Sequence, residues 1–348
     1  MPRVRIADIV RETGLSRSTV DRALNRRGQV HPRTLALIEE ARHRLARTAP
    51  PPTPPPPPID LVLRVGRGMT GQLERAWHAL DREGAFHDLH GARDGEVVER
   101  VRRLCTTVER PLVVTAKNTE PLVDTLREAR ERGKRVVALI SDLAPEARCA
   151  FVGVDDRAAG RTAAYLVAKA LGPRPARVGI VVGDVAFRCH EDREIGFRTG
   201  LRALAPELAI AAEAQGEDRA DTTREAVARM LAGEPELAAI YNVGGGNAGL
   251  AEALRASGRA GRILVVAHEV NAVTGPLLRE GLIGFALAAD PAVQLAEAVR
   301  LAGAASLEGR RTVRLLDLAV YTPCNPPRRL GSPPGRDEAE PATGSDAF

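Results

Sequence analysis

From residue 59 onward, apolar residues come in short unbroken runs separated by amphipathic stretches. The runs at Ile59–Val65, Leu112–Thr115, Val136–Ile140 and Phe151–Val154 are rich in Val and Leu, the make-up of strands buried on both faces. Between them, apolar positions recur at helical spacing near 72–84, 94–107 and 119–132. A second series repeats the plan, with strands at Val178–Val182, Ile210–Glu213, Leu237–Asn242, Ile263–Ala267 and Ile283–Leu287. Helical patterns near 157–171, 191–204, 221–232, 247–257, 274–280 and 291–307 alternate with these. Strand–helix repetition in two blocks predicts an α/β body of two doubly wound, parallel-sheet lobes. Ligands in such sheets bind beyond the carboxyl ends of the strands, here in the cleft between the lobes.

Before residue 50 the period is purely helical. Ile6, Ile9 and Val10 precede Gly14, and Leu15, Val20 and Leu24 follow it, so two short helices can share a small core. Gly14 supplies the permissive turn and Ser16 a natural N-cap, the plan of a helix-turn-helix. A third helix opens at His31-Pro32-Arg33-Thr34 and runs through Leu35, Leu37, Ile38, Ala41 and Leu45, closing a small all-α headpiece. Residues 50–58 hold eight prolines in nine positions. Proline fixes φ and lacks an N–H, so this tract predicts a polyproline rod of roughly 28 Å. The expected division is a headpiece at 1–49, a linker at 50–58, a ligand-binding and dimerisation body at 59–325 and a disordered Pro-, Gly- and acid-rich tail at 326–348.

Composition narrows the class. Hydrophobic residues make up 44% of the chain but aromatics only 3%, so the cores must be built from Leu, Val, Ala and Ile. No apolar run approaches the roughly 18 residues of a membrane span, and no apolar segment follows the first charges. Cys105, Cys149, Cys189 and Cys324 are scattered and fit no metal spacing. These features predict a cytoplasmic chain with no membrane role, no metal and no cofactor. Charge is uneven: residues 1–49 carry eleven Arg against five acids, +6, and the rest 39 basic against 40 acidic, −1. A basic head on a neutral body is the electrostatic footprint of phosphate-backbone binding.

With its segments Ile6-Ala7-Asp8-Ile9-Val10, Thr13-Gly14-Leu15-Ser16, Ser18-Thr19-Val20 and Arg22-Ala23-Leu24-Asn25, the headpiece resembles the DNA-binding domain of the lactose-repressor (LacI) family. The resemblance implies base reading by Arg17, Ser18 and Arg22; arginine can donate two parallel hydrogen bonds to guanine. Ser16, Thr19 and Asn25 would touch phosphates, as would the basic Arg3 and Arg5. The family's hinge-helix stretch is missing, since Arg42-His43-Arg44-Leu45-Ala46-Arg47 runs almost directly into the prolines. Asp21 also departs from the family, which usually has serine there.

The body resembles the type I periplasmic sugar-binding fold that serves as that family's effector domain. The matching segments are Ser141-Asp142, residues 152–163, residues 190–197, residues 241–247, His268-Glu269 and Asp290-Pro291. Planar Asp, Asn and Arg side chains can grip adjacent sugar hydroxyls. Asp142 and Glu269 follow predicted strands, Arg193 lies in the turn of helix after one and Asn242 ends one, so all four are expected to converge on the cleft. The candidate ligand-binding residues are Asp142, Phe187, His190, Arg193, Asn242, Asn247, Glu269 and Asp290. Arg64, Arg67 and Arg193 would also suit a sugar acid. The run Gly244-Gly245-Gly246 matches neither a dinucleotide nor a phosphate-loop spacing, and no catalytic constellation can be argued. The resulting expectation is a non-enzymatic repressor, a homodimer on a pseudo-palindromic operator, controlled by a sugar, polyol or sugar-acid effector. The alternative is a cytoplasmic sugar-binding protein of a transport system without a DNA role.

Overall fold

The computed structural model describes residues 6–25, 30–48, 57–304 and 312–327. Arg3, Arg5, most of the proline tract and the tail from residue 328 lie outside the described residues, and so do the expectations placed on them. The chain divides into two units, residues 1–56 and 57–348.

In the first unit, α1 (Ile6–Thr13), α2 (Arg17–Leu24) and α3 (Pro32–Thr48) enclose a core of Ile9, Val20, Ile38 and Ala41. Gly14 sits between α1 and α2 with φ of 69°, a conformation that side-chain-bearing residues disfavour. Ser16 caps α2, its Oγ accepting from the Thr19 N–H at 3.2 Å.

The second unit opens with β1 (Ile59–Leu63), α4 (Arg67–Ala79), β2 (Gly84–Asp88), α5 (Asp94–Leu104), β3 (Leu112–Thr115), α6 (Glu120–Glu131), β4 (Val136–Leu139), a 3-10 turn at Pro145–Ala147 and β5 (Ala150–Gly153). The chain then crosses into α7 (Asp156–Leu171), β6 (Ala176–Val182), α8 (Arg188–Leu204), β7 (Leu208–Gln215), α9 (Ala220–Gly233), β8 (Leu237–Asn242), α10 (Asn247–Ala256), β9 (Leu264–His268), α11 (Thr274–Arg279) and β10 (Phe285–Ala288). It crosses back into α12 (Pro291–Gly303) and β11 (Thr312–Leu315), and ends in β12 (Ala319–Tyr321). The first sheet runs β11-β5-β4-β3-β1-β2, all parallel; the second runs β12-β10-β9-β8-β6-β7 with only β12 antiparallel. Two parallel-sheet α/β lobes are therefore joined by three crossovers: β5 to α7, β10 to α12 and β11 to β12.

The central strands β1, β3, β4 and β5 are buried along their whole length, as their unbroken apolar runs require. Three strands were not predicted. The expected helix at 72–84 instead starts at Arg67 and stops at Ala79, and residues 84–88 form the edge strand β2. Its sequence GAFHD has no apolar run, because an edge strand with part-exposed faces does not need one. β11 and β12 are edge strands of four and three residues, too short for a periodic signal.

In the second lobe, α7 and α8 approach closely enough to demand glycine. A Cβ at Gly160 would lie 2.0 Å from the Arg193 carbonyl oxygen, and one at Gly196 would lie 2.2 Å from that of Arg157. This crossing sets where the first turns of α8 point, and those turns carry His190 and Arg193.

Candidate functional site

A cavity of about 570 Å³ lies between the lobes. Its wall is built from the segments that follow the carboxyl ends of eight strands. The first lobe contributes Arg64, His90, Lys117 and Ser141, and the second contributes Asp184, Asp218, Gly245 and Glu269. Phe187, His190 and Arg193 enter from the start of α8, and Met69 and Phe187 supply apolar surface. Four lining residues other than glycine carry left-handed backbone: Ile140 (φ 65°), Glu217 (52°), Asp218 (59°) and Glu269 (66°). Such strain persists where surrounding structure over-determines the backbone, and it clusters at functional sites.

The lobes are fastened to each other beside the cavity. Lys117 pairs with Asp184, and the Asn118 N–H donates to the Ala186 carbonyl at 2.8 Å. The Gln72 side-chain amide donates to the Val270 carbonyl at 2.9 Å. Burial works against the Asp184 charge, yet its hydrogen bond from Lys117 holds the carboxyl below its usual range.

Arg193 is buried and bonded on two sides, donating from Nε to Asp156 Oδ1 at 2.7 Å and from Nη1 to the Val243 carbonyl at 3.2 Å. His190 Nδ1 lies 3.0 Å from the Asp184 carbonyl and 3.6 Å from Asp218 Oδ2. Burial opposes its protonation, but the neighbouring Cys189 sulfur, which can accept its hydrogen bond, and the Asp218 carboxylate outweigh it and leave the pKa raised to about 9. Asp218 is itself fixed by the Gly245 N–H at 2.7 Å. Burial pushes the Glu269 carboxyl above its usual range, against the opposing charge of Arg193. Beneath the cavity, Tyr241 Oη and His268 Nε2 are 2.7 Å apart, and burial keeps that imidazole neutral.

Of the sequence candidates, Phe187, His190, Arg193 and Glu269 line the cavity. Four others do not, and each has a local reason. Asp142 turns away because the left-handed Ile140 reverses the chain: Ser141 faces the cavity while Asp142 accepts two hydrogen bonds from Arg148. Asn242 is fully buried and braces the glycine turn, donating to the Gly245 carbonyl and to Asn247 Oδ1, both at 2.8 Å. Asn247 is thereby consumed in the same turn, and the site receives the Gly245 backbone instead. Asp290 caps α12, accepting from the Ala292 N–H at 2.8 Å. Arg67 begins α4 and is not a lining residue, whereas Arg64 is.

Sequence reasoning missed His90, Lys117, Asp184, Gln215, Glu217, Asp218 and Arg219. All but Gln215, the last residue of β7, lie within four residues of a strand's carboxyl end. Applying the strand-end rule to every strand would have found most of them; His90 needed β2, which carries no apolar signal.

In the first unit, the residues expected to face DNA are engaged locally. Ser16 Oγ lies 2.9 Å from Ser18 Oγ and 2.8 Å from Thr19 Oγ1. Arg22 Nε donates to the Ser18 carbonyl at 3.2 Å, and Asn25 donates to Asp21 at 2.8 Å. Arg17 is exposed at the start of α2.

A family model described as periplasmic binding protein domain matches residues 111–310, more than half of the chain. The D-ribose/D-allose-binding protein of Pseudomonas aeruginosa is 27% identical over 179 residues, which are 49% of this chain and 55% of that protein. The chain thus spans about half the length of that curated relative. Among solved structures, an ABC transporter solute-binding protein of Burkholderia graminis in complex with D-arabinose has TM-score 0.71 at 19% identity, covering 80% of this chain and 99% of its own. A periplasmic ABC transporter solute-binding protein of Actinobacillus succinogenes with bound D-allose has TM-score 0.67 at 18% identity, covering 77% and 98%. Likeness at this identity shows the fold.

These findings correct several expectations. These three relatives are described as sugar- or solute-binding proteins, so the repressor reading gives way to the sugar-binding alternative. The operator partner and the homodimer on it fall with that reading. The cytoplasmic location is corrected on the same ground, since the matched family and the Actinobacillus protein are periplasmic by description. Among the described residues no helix is long and apolar enough to cross a membrane.

Proposed function

We propose that this chain, which belongs to the periplasmic binding protein domain family, binds one sugar-sized polyhydroxylated ligand between its lobes and acts on it as a binder, not a catalyst. One observation carries the reading. The cavity of about 570 Å³ sits at the carboxyl ends of both sheets and is walled by fixed polar groups with one aromatic face, Phe187. Hydroxyls that both donate and accept match a wall of Arg193, His190, Asp218, Gln215 and Glu269. The sugar-binding descriptions of the relatives support the same class. The ligand contacts are assigned to Phe187, His190, Arg193 and Glu269.

A sugar acid is not the ligand we assign. Arg64, Lys117 and Arg193 are each paired within the protein, with Asp94 at 3.0 Å, with Asp184 and with Asp156 respectively, leaving no free cation at these positions for a carboxylate. In the N-terminal unit, the Gly14 turn and the Ser16 cap support a helix-turn-helix as a fold, and no ligand is assigned to it.

The test is a melting and calorimetry panel of D-ribose, D-allose, D-arabinose, D-glucose and D-galactose. A binder present at a hundred times its Kd adds about 2.7 kcal/mol of stability, a melting shift that is easily read. If no sugar of the panel shifts the melt or releases heat, the assignment of a neutral sugar is overturned.

A further inference from the structure

The charges lining the cavity are not balanced. Among the described residues each lining arginine or lysine has a carboxylate partner: Arg64 with Asp94, Lys117 with Asp184, Arg193 with Asp156 and Arg219 with Asp221. His190 stands beside Asp218. Two lining carboxylates, Glu217 and Glu269, have no ion-pair partner among the described residues. Glu217 is exposed at the rim, where water screens it. Glu269 is half-buried and faces both the main cavity and a small one of about 30 Å³ behind it.

Glu269 is also fixed in place. Its backbone is left-handed at φ 66°, its N–H donates to the Leu287 carbonyl at 2.9 Å, and its own carbonyl accepts from Thr274 Oγ1 at 2.9 Å. Its carboxylate receives one neutral donor, Asn271 Nδ2 at 3.2 Å. The charged groups around it are Arg193 and His190 from α8 and Asp218 from the loop after β7, and Arg193 is committed to Asp156. Arg193 and His190 act on this carboxylate only without a direct ion pair, and burial still holds its pKa above the usual range, so its charge is under-compensated. Among the described residues no cluster of three His, Cys, Asp or Glu could hold a metal ion to supply that charge. A cationic group on the ligand would complete that compensation.

We propose that the cleft takes an amino sugar, a hydroxyl-rich ring bearing one protonated nitrogen that docks against the Glu269 carboxylate. This rests on the sugar-binding reading above and narrows it. The ammonium donates a charge-assisted hydrogen bond that a hydroxyl cannot match, while the remaining hydroxyls meet the same wall as in a neutral sugar.

Calorimetry on the full chain with D-glucosamine, D-galactosamine and their parents D-glucose and D-galactose tests it. At least one amino sugar is expected to bind about tenfold tighter than its parent at neutral pH, the size of one hydrogen bond to a charged group. In Glu269→Gln the ratio of amino-sugar to parent-sugar affinity should fall to about one, whatever the parent affinity becomes, while the melting temperature persists, which separates a lost counter-ion from a lost fold. Lowering the pH should weaken the amino sugar more than the parent, because Glu269 takes up a proton. A parent sugar that binds as tightly as its amino form, or a preference that survives Glu269→Gln, overturns the proposal and leaves the sugar-binding reading standing. No binding by any member of this panel or of the neutral-sugar panel overturns both.

Discussion

Arg193 and Asp156 form a buried ion pair, Nε to Oδ1 at 2.7 Å, that ties the first turns of α8 to the start of α7 just past the first interlobe crossover. Burial is the largest influence on both: it pushes the Asp156 carboxyl above its usual range, while Arg193 is kept protonated because Asp156 lies against it. The same guanidinium lines the cavity. One side chain therefore holds the fold and faces the cavity.

Removing that guanidinium leaves Asp156 buried without its partner. Arg193→Met should cost about 3–5 kcal/mol in denaturant unfolding. Arg193→Lys should recover only part of this, since an ammonium lacks the planar fork that reaches both Asp156 and the Val243 carbonyl. A variant that melts like the parent chain would contradict the role.

Gly160→Ala should destabilise by about 1–3 kcal/mol, because its Cβ would sit 2.0 Å from the Arg193 carbonyl oxygen and force α7 and α8 apart. Ligand affinity should fall too, since that movement carries His190 and Arg193 with it. Gly71→Ala in α4 is the control: its Cβ would meet only the Arg75 side chain, at 3.6 Å, and relief of glycine's chain entropy should be neutral or stabilising by up to about 1 kcal/mol.

His190 gives the stability a pH dependence on the alkaline side. Its folded pKa of about 9 exceeds the unfolded value of 6.5, so its contribution is complete below about 6.5 and is lost as pH rises through about 9. The loss should be on the order of 3 kcal/mol. Urea unfolding between pH 6 and 10 should slope downward, and His190→Gln should flatten the slope.

The Lys117–Asp184 pair bridges the two lobes at the edge of the cavity, with both side chains less than a quarter exposed. Lys117→Met should weaken ligand binding by roughly three- to tenfold, through faster dissociation, by favouring open lobes. Stopped-flow release of a bound sugar would read this directly. An unchanged off-rate would show that the Asn118–Ala186 hydrogen bond fastens the lobes without it.

The periodicity of the chain was enough for the two-lobed α/β body, because strands buried on both faces must be written as unbroken apolar runs, as at Leu112–Thr115 and Val136–Leu139. It also placed Asp142, Arg193, Asn242 and Glu269 at or after strand ends, and of these Arg193 and Glu269 line the cavity. It could not say which neighbour of a strand end faces the cavity. A single left-handed residue, Ile140, sends Ser141 inward and Asp142 to Arg148, and nothing local announces that rotation. Nor could it show that the cleft cations are already spent: Arg64 meets Asp94 and Arg193 meets Asp156 across 30 and 37 positions of sequence. The basic N-terminal segment reads as a phosphate binder, whereas the family match and the sugar-binding relative bear on the body. Hydrophobic pattern is local and survives reading in one dimension. The charge balance of a cleft is a property of pairs, and only the tertiary structure decides which pairs meet.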